Sequence, residues 1–261
     1  MLRALNNSAA GIDAHAKKVD AIAHNIANIN TVGYKKQTVS FAELYARQIA
    51  QPGLPVNPRP GNQRPVMEGS GVKVAATQRD WQQGPVVETG RNLDFAIQGQ
   101  GFFEVQLPDG SFAYTRSGIF TRDETGWLVT PQGYPLTAPF ELHPDVQELV
   151  VSPQGMVTAK NTNGEIEELG FWPLYSFTNP GGLKAIGENL YVPTETSGEL
   201  WEGMPGEADL GTIRQGYLEN ANVFLAEEMA GLIEAQRAYQ INSRALQTAD
   251  EMWSMANNLK R

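Results

Sequence analysis

Ala235-Gln236-Arg237-Ala238-Tyr239-Gln240-Ile241-Asn242-Ser243 lies inside a proline-free stretch running from Asn220 to Arg261, and its reading decides the fold. Around it, apolar side chains fall at Leu225, Met229, Leu232, Ile233, Tyr239, Leu246, Ala249, Met252, Trp253, Ala256 and Leu259. Steps of mostly three and four mark one face of a helix. Gln236 and Ser243 fall on the same stripe. A helix of about 37 residues extends about 55 Å at 1.5 Å per residue. That is long for a domain of this size, so the helix needs a partner along its length.

The other end of the chain offers one. Leu2, Leu5, Ala9, Ile12, Ala16, Val19, Ala23 and Ile26 step three and four without a break, a heptad seam with every a and d position apolar. Ala9, Ala16 and Ala23 keep the seam narrow, and such a helix alone in water is marginal. Asn28, Asn30 and Gly33 supply the stop, because Asn and Gly tolerate the left-handed conformation that ends helices.

All 16 prolines lie between Pro52 and Pro205, which separates helical ends from a non-helical middle. Pro52 to Pro65 reads as an extended segment with little regular structure. From Gly71 onward, short alternating runs separated by turns (Leu93 to Ile97, Phe103 to Leu107, Phe112 to Thr115, Val157 to Ala159) predict an all-β module. The fold class is α+β. Its expected parts are a coiled-coil helix over 1–35, a proline-rich connector over 36–70, a β-domain over 71–219 and a second coiled-coil helix over 220–261. On pattern alone, two arrangements stay open: a coiled-coil arm apart from the β-domain, or a helical hairpin covering it.

Charge and composition exclude several functions. The net charge of -9 argues against nucleic-acid binding, which needs a basic face. No cysteine means no disulfide and no thiol chemistry. No apolar run approaches about 18 residues, and the N-terminus lacks a signal-peptide core, so any export is expected to use another route. His15 and His24 are nine apart and share no face, and His143 adjoins Pro144, so no metal or cofactor is expected. Gly99-Gln100-Gly101 lacks the third glycine of a dinucleotide fingerprint and reads as a bulge or close approach. Asp94, Asp109, Asp123 and Asp145 show no pairing, and Asp109 and Asp123 suit turns. Lys17-Lys18 and Lys35-Lys36 read as solvated faces. Nothing points to an enzyme.

Asn25-Ile26-Ala27-Asn28-Ile29-Asn30-Thr31-Val32-Gly33-Tyr34-Lys35 resembles the N-terminal signature of the bacterial flagellar rod and hook proteins. Asn222-Val223, Glu227-Glu228-Met229 and Ala235 to Ser243 resemble that family's C-terminal signature. Gly99 to Phe103, Tyr114 to Gly118, Ile186 to Tyr191 and Gln215-Gly216-Tyr217 resemble its β-domain. Length and the Gln51-Pro52-Gly53 segment are most similar to the distal-rod members. The resemblance implies a structural subunit that assembles helically into a rigid hollow shaft carrying torque from motor to hook. The terminal helices would form an inner tube and the β-domain an outer layer. It further implies export through the flagellar type III apparatus to a site outside the cytoplasmic membrane. Implied partners are copies of the chain itself, proximal-rod proteins, the hook protein and, where an outer membrane exists, the bushing L and P rings.

Subunit contacts are then expected at Leu5, Ile12, Val19, Ile26, Asn28, Gly33, Tyr34, Met229, Leu232, Gln236, Arg237, Tyr239, Asn242, Leu246 and Trp253. A stiffening role falls to Gln51, Pro52 and Gly53. The alternatives are another rod or hook paralogue, or a β-domain that binds cell-wall carbohydrate through Trp81, Trp127, Trp172 or Trp201.

Overall fold

The computed structural model describes residues 2–44, 47–48, 67–138, 146–162, 165–207 and 209–258. The segment containing Gln51, Pro52 and Gly53 lies outside the described residues, as do His143, Asp145 and Leu259. Helix α1 spans Leu2–Ala27 and helix α2 spans Leu225–Asn258; among the described residues between them the regular elements are β-strands and short 3-10 turns. The long second helix, at 34 residues, reaches about 51 Å. Glu227 and Glu228 in its first turn complement the helix dipole.

The chain forms two compact units. One takes Met1–Ile26, Gln37–Gln78 and Leu225–Arg261, and the other takes Ala27–Lys36 and Arg79–Phe224. In the first unit, α1 and α2 pair antiparallel. Gly11 lies against Asn242, Lys18 against Glu234, Ile22 against Gly231 and Asn25 against Glu228.

A two-stranded ribbon of Gln37–Glu43 and Val72–Arg79 belongs to the same unit. Within the segment expected as an extended proline-rich connector over 36–70, Gln37–Glu43 is a regular strand. Val39 and Ala42, and Val72, Val74 and Ala76, turn half-buried faces while their neighbours are exposed. That alternation belongs to a strand rather than a linker. The ribbon lies along α1: Gly71 is beside Asn7 and Ala10, the Phe41 ring is 6.1 Å from His15, and the Asn25 side chain bonds both backbone groups of Gln37.

In the second unit, Lys184–Gly187, Leu190–Val192, Phe112–Thr115 and Phe103–Gln106 form a four-stranded sheet in that order. Val146–Val151, Met156–Asn161 and Ile166–Phe171 form an antiparallel three-stranded sheet with two register shifts. Two-stranded ladders join Phe95–Gln98 to Thr212–Gln215 and Val86–Glu88 to Tyr217–Glu219. Phe95, Phe103, Phe120 and Trp172 centre the core, with the Phe95 and Trp172 rings 4.9 Å apart, edge to face. Each such contact adds about 0.5–1.5 kcal/mol beyond area burial. Phe95, Ala96 and Ile97 are all buried, so this strand is covered on both faces and does not alternate as its sequence suggests. At Gly99 the backbone passes so close to Gly211 that a Cβ would lie 2.8 Å from its Cα.

Candidate assembly surface

The helix seam is set by small residues. Gly11, Ala14, Ala21 and Ile22 are buried on α1, and Ala235 and Ala249 on α2. A Cβ on Gly11 would lie 2.9 Å from the Asn242 Nδ2. The buried face is displaced from the expected stripe over part of both helices, although Ala249 of that stripe is buried. Gly11 and Asn25 are buried where Ile12 and Ile26 were expected, and Glu228 and Ala235 where Met229 and Gln236 were expected. One residue is about 100° of helix rotation.

Consequently Leu5, Ile12, Val19 and Ile26 are only half-buried, as are Leu232, Asn242 and Leu246, while Ala9 and Ala23 are exposed. Gln236 and Arg237 point to solvent, so Gln236 lies off the buried seam of its own subunit. Met229, Tyr239 and Trp253 are exposed as well, together with Leu225, Ile233, Ile241, Met252 and Met255. Leu225, Met229 and Ile233, at steps of four, make a continuous apolar row.

Polar locks hold the seam in register. Asn25 is 1% exposed and donates to the Glu228 Oε2 at 3.0 Å, while its oxygen accepts the Gln37 N–H at 2.8 Å. A charge-assisted bond of this kind contributes about 1.5–3 kcal/mol. Lys18 and Glu234, 3.4 Å apart and largely solvated, contribute little.

The second unit builds its own lock from the two signatures. Gly33 has φ 71° and its N–H donates to the Glu219 carbonyl at 2.7 Å. Tyr34 is buried with Ala221 and Val223, and half-buried Asn28 accepts the Thr31 N–H through its carbonyl at 3.0 Å. The reading of Lys35 as solvated is overturned: it is fully buried, and its Nζ donates to the Glu219 Oε1 and the Gln82 carbonyl, each at 2.7 Å. Burial pulls the Lys35 ammonium below its ordinary pKa, against the opposing pull of Glu219. Glu219 also accepts the Gly84 N–H at 2.9 Å, and Arg116 lies 3.6 Å from its other oxygen. Asn222 accepts the Lys36 N–H and donates to the Asp80 and Gln82 carbonyls. Sequence reasoning missed Lys35, Arg116 and Glu219 because the partners are 184 positions apart along the chain in the Lys35–Glu219 case. The acid at Glu219, three residues before the signature Asn222, was the only available hint.

The remaining candidates find local roles. Asp94 is buried, accepts from the Thr89 hydroxyl at 2.7 Å and meets Arg91 at 3.6 Å. Asp109 and Asp123 accept bonds from Ser111 and Thr125 in their turns, which holds both carboxyls below the usual range. Trp172 is core, Trp81 packs against Phe102 and Tyr191, Trp127 is half-buried and Trp201 is 61% exposed. Among the described residues there is no cluster of His, Cys, Asp and Glu that could hold a metal, and no helix long and apolar enough to cross a membrane.

Residues 5–35 match the family described as "Flagella basal body rod protein". Residues 96–159 match "Flagellar hook protein FlgE/F/G D1 domain", and residues 214–259 match "Flagellar basal body rod FlgEFG protein C-terminal". The "Flagellar basal-body rod protein FlgG" of Borreliella burgdorferi is 45% identical, with 100% of each chain covered. Its counterpart in Agrobacterium fabrum is 40% identical over 99% of this chain and 100% of that one. The Bacillus subtilis counterpart is 35% identical over 100% of both. The chain belongs to the flagellar basal-body rod protein family and is a structural component of the rod.

Proposed function

We propose that the chain is the distal-rod subunit, stacking helically with copies of itself into a stiff hollow shaft that carries torque. Its work is mechanical and involves no catalysis. The observation that carries this reading is the apolar row on α2. Leu225, Met229 and Ile233 are each about half exposed, flanking the face of the helix that already holds α1. An apolar row of this length in water needs a partner, and in a rod subunit that partner is the helix of a neighbouring copy. Leu5, Ile12, Val19, Ile26, Tyr239 and Trp253 extend the same contact. Asn28, Gly33 and Tyr34 instead shape the loop that joins the signatures. Further partners are the proximal-rod proteins below, the hook protein above, the bushing rings where present, and the type III export apparatus that carries the chain out of the cytoplasm. Gln51, Pro52 and Gly53 belong to a segment that stiffens the shaft by bridging neighbours.

Sedimentation and electron microscopy of the purified chain across a concentration series test this. Filaments above a critical concentration are expected, with a chain lacking residues 1–30 remaining monomeric. Assembly that survives that truncation unchanged would refute the helix-mediated account. Filaments lacking residues 51–65 should show a shorter persistence length, and an unchanged one removes the stiffening role.

A further inference from the structure

A cavity of about 510 Å³ opens on the second unit, lined by Gln106, Asp123, Trp127, Val129, Pro135 and Leu136 among others. One wall is the hairpin that pairs Thr121–Arg122 with Leu128–Val129. Its turn is closed by the Asp123 N–H, which donates to the Trp127 carbonyl at 3.0 Å, and by Gly126, whose φ of 93° is left-handed. The other wall runs through Pro135 and Leu136. The Pro135 carbonyl accepts the Gln106 N–H, and the Leu136 N–H donates to the Leu128 carbonyl, each at 2.8 Å. Backbone bonds on both sides form the cavity before any ligand enters, and its size falls in the range of about 300–1,000 Å³ usual for small-molecule sites.

Trp127 lies outside the core clusters. Trp81 and Trp172 pack against other rings, whereas half-buried Trp127 meets no ring among the described residues, and its indole N–H finds no acceptor there. It therefore offers the cavity an apolar face and a free donor. Val129, Pro135 and Leu136 add apolar wall. The polar groups are exposed. The Gln106 side-chain amide bonds no described residue, and the Asp123 carboxylate is held ionised by the Thr125 hydroxyl and N–H. A carboxylate has about four lone-pair sites, so a ligand hydroxyl can join the Thr125 bonds.

This lining selects among ligands. It carries no basic side chain, which disfavours an anion. One aromatic ring is not the cage that holds a quaternary ammonium. A ring with an apolar face and a rim of hydroxyls matches both the indole and the two planar polar groups. We propose that the cavity binds a pyranose, its C–H face against Trp127 and Pro135 and its hydroxyls on the Gln106 amide and the Asp123 carboxylate. A β-linked gluco-configured unit fits best, because all-equatorial hydroxyls leave both ring faces to C–H groups. The site is remote in sequence from the α2 row and does not depend on the rod reading.

The full-length chain, held below its assembly concentration and labelled with nitrogen-15, is titrated with methyl β-D-glucopyranoside, with glycerol and with tetramethylammonium chloride. The Trp127 indole resonance, assigned by its loss in Trp127→Phe, is expected to shift saturably with the glycoside only. Gln106→Ala removes no side-chain bond within the fold and should raise the Kd about fivefold, the worth of one neutral hydrogen bond. Trp127→Ala should abolish binding, read on the Gln106 side-chain amide, with circular dichroism unchanged. Should Trp127→Ala misfold, the titrations of the natural chain and of Gln106→Ala decide alone. An equal shift with glycerol, or no shift with the glycoside, overturns the site. A shift with tetramethylammonium alone overturns the sugar and assigns the cavity to a cation. A glycoside Kd that Gln106→Ala leaves unchanged overturns the proposed pose.

Discussion

At the scale of single residues, the two signatures matter because they touch. Gly33 is the tightest point. Its φ of 71° is left-handed, and a Cβ there would lie 2.7 Å from the backbone of both Arg116 and Ser117. Strain and overlap add, so Gly33→Ala should cost about 3 kcal/mol. Urea denaturation reads this directly, and an unchanged midpoint would mean the loop yields at no cost. Lys35 teaches a related lesson. A lysine pair on a loop reads as solvated, because charged side chains are rarely buried. Here one of the two is fully enclosed by Glu219 and Gln82, and only the fold supplies those partners.

At the scale of elements, both helices were legible as helices, but the face each buries was not. Heptad reading selects the largest apolar residues. Within the subunit, the seam forms where the backbones approach most closely, at Gly11, Ala14 and Ala235. Close approach improves dispersion contacts and brings Asn25 to Glu228, which outweighs hiding Ile12 or Met229. The larger residues are left at the flanks for other contacts. Two substitutions separate the faces. Gly11→Leu should disturb the helix pair itself, lowering stability by about 1–3 kcal/mol. Met229→Asp should leave helicity and melting temperature unchanged while raising the critical concentration at least tenfold. Loss of helicity in Met229→Asp would place Met229 inside the subunit's own packing.

At the scale of the whole molecule, Glu104 makes stability depend on pH. It is nearly buried and accepts the Tyr114 hydroxyl at 2.8 Å; burial raises its pKa above the ordinary 4.5 despite that bond. In the folded state it holds its proton where the unfolded chain has released it. The contribution of Glu104 is therefore fullest below about 4.5 and falls as pH rises through the raised value. Asp109 and Asp123 act oppositely: hydrogen bonds depress them, and the stability they add is present above their ordinary 3.8 and is lost at lower pH. Glu104→Gln should flatten the decline in melting temperature above pH 4.5 and leave the acid limb in place. A decline identical to that of the natural chain would assign it to other groups.

Helical ends, a β-rich middle and family membership were all readable in the sequence. They depend on periodicity, on proline placement and on local motifs, which act over a few neighbouring residues. The ribbon of Gln37–Glu43 with Val72–Arg79 was not readable, because its two strands are separated by a proline-rich run and neither is strongly apolar. The Lys35–Glu219 lock and the face that the helix seam buries came only from the tertiary structure. Each depends on groups far apart in the chain, where close packing and the cost of burying an unpaired charge select the partner.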